Sequence, residues 1–157
     1  MSTSTWTDPN LPLPPDIAEC FQGVPRRIHL EEDTKIYRMR TNRQGDGVVG
    51  SNIWESAWWF PASTYDRIVS RAETSGKSVT VAARSGLAVP RRFNTDYDTL
   101  VIMRLQRSGF AWAGPAAPQK WSETVKVRVQ LSGGFEQWWI PGLEQIDLKY
   151  VYFGGPD

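Results

Sequence analysis

One cysteine and one histidine are all the sequence contains of either, and these two scarcities exclude more chemistry than any motif supplies. Cys20 alone closes no intramolecular disulfide and builds no thiolate cluster, so the fold must rest on packing. His29 alone rules out metal sites that need two imidazoles and ribonuclease chemistry that needs a histidine pair. A Cys20–His29 nucleophilic pair has no local signature behind it, and Arg84-Ser85-Gly86 and Leu131-Ser132-Gly133 do not make a nucleophile elbow. There is no phosphate-binding loop and no dinucleotide glycine fingerprint.

Charge of one sign is also missing. With 18 basic against 17 acidic residues the net charge is +1, which gives no electrostatic footprint for a nucleic acid or an anionic membrane, and neither is expected as a partner. The pairs Arg26-Arg27 and Arg91-Arg92 read as solvated surface. No apolar run approaches the roughly 20 residues of a membrane span. The opening MSTSTWTDPNLPLPPD lacks the basic and apolar segments of a signal peptide. The expectation is a chain that is cytoplasmic where it is made, any export depending on something other than a cleavable leader.

What is present is ordinary globular material with an excess of tryptophan. The 157 residues, 40% hydrophobic, suffice for one substantial core, and eight of them are tryptophan. Prolines 9, 12, 14, 15 and 25 mark residues 1–25 as an irregular arm ahead of one domain over 26–157.

Thr34–Arg40 (TKIYRMR) reads as a strand with no purely apolar face, turning Arg38 toward a partner, and a glycine-rich loop follows it. Ser63–Gly76 reads as a helix. Ser63 would cap it, Asp66 would complete a capping box, Gly76 would end it, and Tyr65, Ile68, Val69 and Ala72 would form its apolar face. Ser78–Val89 fits strand alternation at Val79 and Val81 but also helical spacing at Val79, Ala82, Ala83 and Leu87; a helix is the expectation. The apolar run Thr99–Gln106 suits a central strand covered on both faces. Thr124–Leu131 alternates cleanly, and two more strands follow at Glu136–Ile140 and Gln145–Phe153, the last with Ile146, Leu148, Tyr150 and Tyr152 in register. Helices in the N-terminal half and strands later predict an α+β fold on a split, mainly antiparallel sheet.

Three features remain for chemistry: the Tyr37-Arg38 pair on an early strand, Ser51 and Trp54 after a glycine loop, and Glu136-Gln137 after Gly133-Gly134. This set resembles the ADP-ribosyltransferase-like superfamily, with its early-strand arginine, middle hydroxyl or aromatic residue and late Glu or Gln. AGPAAPQ followed by LSGGFEQWWIPG is similar to the late region of bacterial toxin domains of the tuberculosis necrotizing toxin type, in which a Gly-Gly-x-x-Gln-like segment carries the glutamine. The likeness covers about residues 35–153 in order of elements, and only Tyr37-Arg38 and 133–141 at motif level.

The resemblance implies cleavage of the nicotinamide N-glycosidic bond of NAD(P)+, with NAD+ as substrate and no metal or prosthetic group. Arg38 would hold the diphosphate. Gln137 or Glu136 would act at the ribose, and Tyr37, Ser51, Trp54, Trp58 and Trp138 would line the pocket, the tryptophans stacking on nicotinamide. It further implies an immunity protein as partner and delivery into target cells by a secretion apparatus. If Glu136 rather than Gln137 is the late residue, mono-ADP-ribosyl transfer to a macromolecular target is as good a reading. Gly134, where arginine-specific transferases carry a second acid, argues against arginine as acceptor. Alternation along a strand lets only one of the two adjacent residues face a pocket. Two other classes stay open: a binding module in which Trp54, Trp58, Trp112, Trp121 and Trp138 form a flat platform for sugars or peptide, usually an all-β design, and an assembly protein without ligand.

Overall fold

The computed structural model describes residues 5–40, 57–87, 99–120, 130–131 and 133–155. Nine strands run in chain order: β1 (Arg26–Leu30), β2 (Lys35–Arg40), β3 (Trp58–Trp59), β4 (Thr99–Leu105), β5 (Gly109–Pro115), β6 (Gln119–Lys120), β7 (Gln130–Leu131), β8 (Glu136–Trp139) and β9 (Leu148–Gly154). Helices α1 (Pro15–Ala18), α2 (Ala62–Ser75) and α3 (Val79–Gly86) and a 3-10 turn at Gln145–Asp147 complete the described elements, and none of these helices is long and apolar enough to cross a membrane. The strands form a four-stranded sheet, β1-β5-β8-β3, a three-stranded sheet, β2-β4-β9, and the pair β6-β7, with every pairing antiparallel. The fold is α+β, as predicted.

The apolar run at 99–105 explains the layering. As the centre of its sheet, β4 is covered on both faces. Val101, Met103 and Leu105 meet Trp59, Ala111, Ala113 and Trp138 of the four-stranded sheet. Leu100 turns the other way, toward Ile68 and Ala72 of α2 and Ala82 and Ala83 of α3. Two cores therefore lie either side of one strand.

Helix α2 starts earlier than its sequence suggests. Phe60 exchanges both backbone hydrogen bonds with Tyr37, and Pro61, extended and without a side-chain cap bond, is the N-cap; Ser63 lies exposed inside the first turn. The proline's restricted φ suits this abrupt exit from a strand better than a hydroxyl cap two residues on. Gly76 does close the helix, in the left-handed conformation. Ser78 caps α3 by accepting from the Val81 amide.

Two other readings change. Ile146 is not in the last strand: it sits 75% exposed in the 3-10 turn, because Glu144 and Asp147 form a reciprocal capping box that holds 145–147 out of the sheet. The alternation of Tyr150 and Tyr152 is broken as well, since β9 carries an extra residue, Val151, between the partners of Met103 and Ile102. Thr124–Val129 lies outside the described residues, and Gln130–Leu131 pairs with β6.

The proline-rich arm runs along the four-stranded sheet with one turn of helix. It inserts Trp6 and Leu11 into the interior, and the Trp6 indole donates to buried Asp147, which also accepts from Arg107.

Candidate functional site

Strand β8 separates the two residues that sequence could not. Trp138 is in the core between the sheets, so Glu136, two residues earlier, shares that inner face, while Gln137 and Trp139 face outward. The Gln137 amide donates to the Cys20 carbonyl at 2.9 Å and is thereby tied to the arm. The Glu136 carboxylate has two partners, Arg26 at 2.8 Å and the Trp138 indole N–H at 3.0 Å, and its side chain stays 29% exposed. Its backbone carbonyl accepts from the Thr64 hydroxyl of α2 at 2.7 Å. Three elements thus fix this one residue.

The approach to β8 depends on the glycine pair. Gly133 and Gly134 have φ of 65° and 93°, and a Cβ on Gly133 would run into the Ala116 carbonyl. Their amides donate to the Ser85 and Ala116 carbonyls, each at 2.9 Å.

Arg38 reaches the same inner face from the other sheet. Opposite Val101 in the β2–β4 ladder, it faces the four-stranded sheet, and its guanidinium lies 5.8 Å from the centre of the Trp59 ring. Trp59 is the direct cross-strand neighbour of Trp138. A continuous line of contact therefore runs from Arg38 through Trp59 and Trp138 to Glu136 and Arg26. The indole N–H of Trp59, though buried, has no acceptor among the described residues. An unsatisfied buried donor costs about 1–3 kcal/mol.

Of the residues singled out from sequence, Arg38, Glu136 and Trp138 are brought together. Gln137 is on the opposite side of β8. Trp58 is on that outer side too, with Phe21 of the arm 5.5 Å away. Tyr37 faces the helix layer, stacked on Phe60 and Tyr65, where burial and then the Asp66 carboxylate push its phenol pKa up. Ser51 and Trp54 lie outside the described residues. Arg26, Trp59 and Thr64 were not assigned to a site; the Trp58-Trp59 and Trp138-Trp139 doublets were the available signal, since each must place one ring on each face.

Two alternative chemistries lose ground here. Burial, with the negative charges of Asp16 and Glu19, raises the Cys20 pKa, the reverse of what a thiolate nucleophile needs. Trp58, Trp139 and Trp112 do align across three strands, but the arm lies against them, the Trp112 indole donating to the Leu11 carbonyl. No group of three His, Cys, Asp or Glu suited to a metal ion occurs among the described residues.

No protein-family model matches the sequence, and no curated protein matches it significantly. Two solved structures share the fold. One is Tne2 in complex with Tni2, with a TM-score of 0.58 at 14% identity, the match covering 86% of this chain and 95% of that one. The other is Rhs1-CT in complex with its cognate immunity protein RhsI1, with a TM-score of 0.54 at 17% identity, covering 86% and 83% respectively.

Proposed function

We propose that this chain is a toxin-type enzyme that hydrolyses the nicotinamide N-glycosidic bond of NAD+. The observation that carries the reading is the line Arg38–Trp59–Trp138–Glu136, which joins a guanidinium, two indoles and a held carboxylate on the inner sheet face. The fold shared with a chain bound to a cognate immunity protein supports the toxin role and an immunity protein as partner. The order of elements further supports placing the domain among ADP-ribosyltransferase-like proteins.

The chemistry suits so sparse a site. When the bond from ribose C1′ to the pyridinium nitrogen breaks, the electron pair leaves with nicotinamide, which becomes neutral without needing a proton. Positive charge develops on the ribose, as in other glycosyl transfers. Glu136 stabilises that charge, and Arg26 and the Trp138 indole keep its carboxylate in one orientation. Water then bonds to C1′ and releases a proton, giving ADP-ribose. Arg38 holds the diphosphate.

The inward face of Glu136 also favours a second reading, transfer of ADP-ribose to a nucleophile on a macromolecule in place of water. One experiment tests both. Purified protein is incubated with NAD+ with and without a cell extract, and nicotinamide release and label transfer are followed for wild type, Arg38→Ala, Glu136→Gln and Gln137→Ala. Release in buffer alone, lost in the first two variants and kept in the third, is the expected result. Intact NAD+ under every condition, or full activity in Glu136→Gln, would overturn the proposal.

A further inference from the structure

We propose that Arg67 and Arg71 of α2 form a binding site for a small phosphate-bearing ligand, distinct from Arg38. The two arginines stand at i and i+4 on an exposed helix face, where like charges repel. Neither forms an ion pair with a described residue. Both guanidiniums lie instead over one ring, that of Phe135, at 4.5 and 4.6 Å from its centre.

That ring is a fixed plate. Phe135 is buried, its amide donates to the Gly86 carbonyl at 3.0 Å, and a Cβ on Gly86 would collide with the ring. Two planar forks are thus each held against one ring before any ligand arrives, which lowers the ordering cost of binding. They border an open groove of about 420 Å³ lined also by Asp66, Ser70, Thr74 and the edge of Phe135. Adjacent guanidinium forks match the oxygens of a phosphate or diphosphate, which accept bidentate, charge-assisted bonds. Among the described residues Asp66 is the one carboxylate lining the groove, set against the two guanidinium charges of Arg67 and Arg71.

The groove adjoins the candidate acid. Phe135 precedes Glu136 in the chain, and Thr64, one helical turn before Arg67, holds the Glu136 carbonyl. Identifying the ligand with the phosphates of the dinucleotide rests on the NAD+ reading; the site itself does not.

The test is calorimetric titration of the full chain with inorganic pyrophosphate. The variants are Arg67→Gln/Arg71→Gln, which removes both forks, and Arg67→Lys/Arg71→Lys, which keeps only the charge. Circular dichroism checks that each remains folded. Expected are saturable one-to-one binding to wild type, at least tenfold weaker binding by the glutamine variant and intermediate binding by the lysine variant. Displacement of pyrophosphate by NAD+, with a KM for NAD+ raised at least fivefold and kcat within twofold in the glutamine variant, identifies the dinucleotide as the source and moves its diphosphate from Arg38 to this pair. Retained pyrophosphate binding without displacement supports the site with a separate phosphate compound as ligand. No binding to wild type, or equal binding by wild type and the glutamine variant, overturns the site. A chain that binds pyrophosphate but releases no nicotinamide would sink the enzymatic reading and leave this one standing.

Discussion

The two faces of β8 differ in what their side chains meet. On the inner face Glu136 pairs with Arg26 of β1, Trp138 lies beside Trp59 of β3, and Arg38 of β2 stands over the Trp59 ring. On the outer face Gln137 and Trp139 meet the arm, and the amide of Gln137 is occupied by a backbone carbonyl. Adjacent residues of similar size thus have separate partners: the glutamine amide is tied to the arm, and the carboxylate to Arg26 and the Trp138 indole. The difference teaches that a motif match at Gln137 is no guide to its role until the strand face is known.

Four measurements would break or sharpen that contrast. The largest effect is expected from Trp138→Ala, which empties the inter-sheet core and should lower stability by about 3–5 kcal/mol, read from the shift in denaturant midpoint. Next, Glu136→Gln should reduce nicotinamide release by about a hundredfold or more in kcat, a loss typical of removing one transition-state contact, while Gln137→Ala stays within about threefold. Equal losses in both would erase the functional distinction between the faces. Third, Gln137→Leu or Trp112→Phe should cost about 1 kcal/mol by cutting one arm hydrogen bond and should speed proteolysis of the N-terminal segment; an arm as protected in both variants as in wild type would show that its other anchors, Trp6 and Leu11 among them, hold it.

The smallest effect concerns alkaline pH. Because burial and Asp66 raise the folded-state pKa of Tyr37, the unfolded chain loses this proton first. The associated stability is fully present below the ordinary tyrosine pKa and is lost as pH rises from there through the raised value. Tyr37→Phe should therefore flatten the alkaline arm of the stability profile and leave the neutral region unchanged; an identical alkaline slope would remove Tyr37 as its source.

Much of the fold was legible where one period dominates. The continuous apolar run at 99–105 and the helical spacing of Ile68 and Ala72 each had one reasonable packing. Strands β1 and β5 were not legible. In GFAWAGP the buried positions Ala111 and Ala113 are small because Trp6 and Trp138 fill the space above them, so the hydrophobic signal lies on distant residues. The bulge in β9 had no local mark either, since it resolves a mismatch between two strands. For the candidate site, alternation showed that Glu136 and Gln137 must part, but which faced inward depended on Trp138 finding Trp59 across the sheet.

The glycine pair ahead of β8 acts as a register lock. Two consecutive amides are committed, one to α3 and one to the end of β5, in a conformation with no room for a side chain on Gly133. The strand that follows therefore has a single starting point, and sliding it by one residue would exchange Glu136 and Gln137 across the sheet. Deleting Phe135, the one residue between Gly134 and Glu136, would put Gln137 where Glu136 stands and Trp139 where Trp138 stands, and the inner face would be remade.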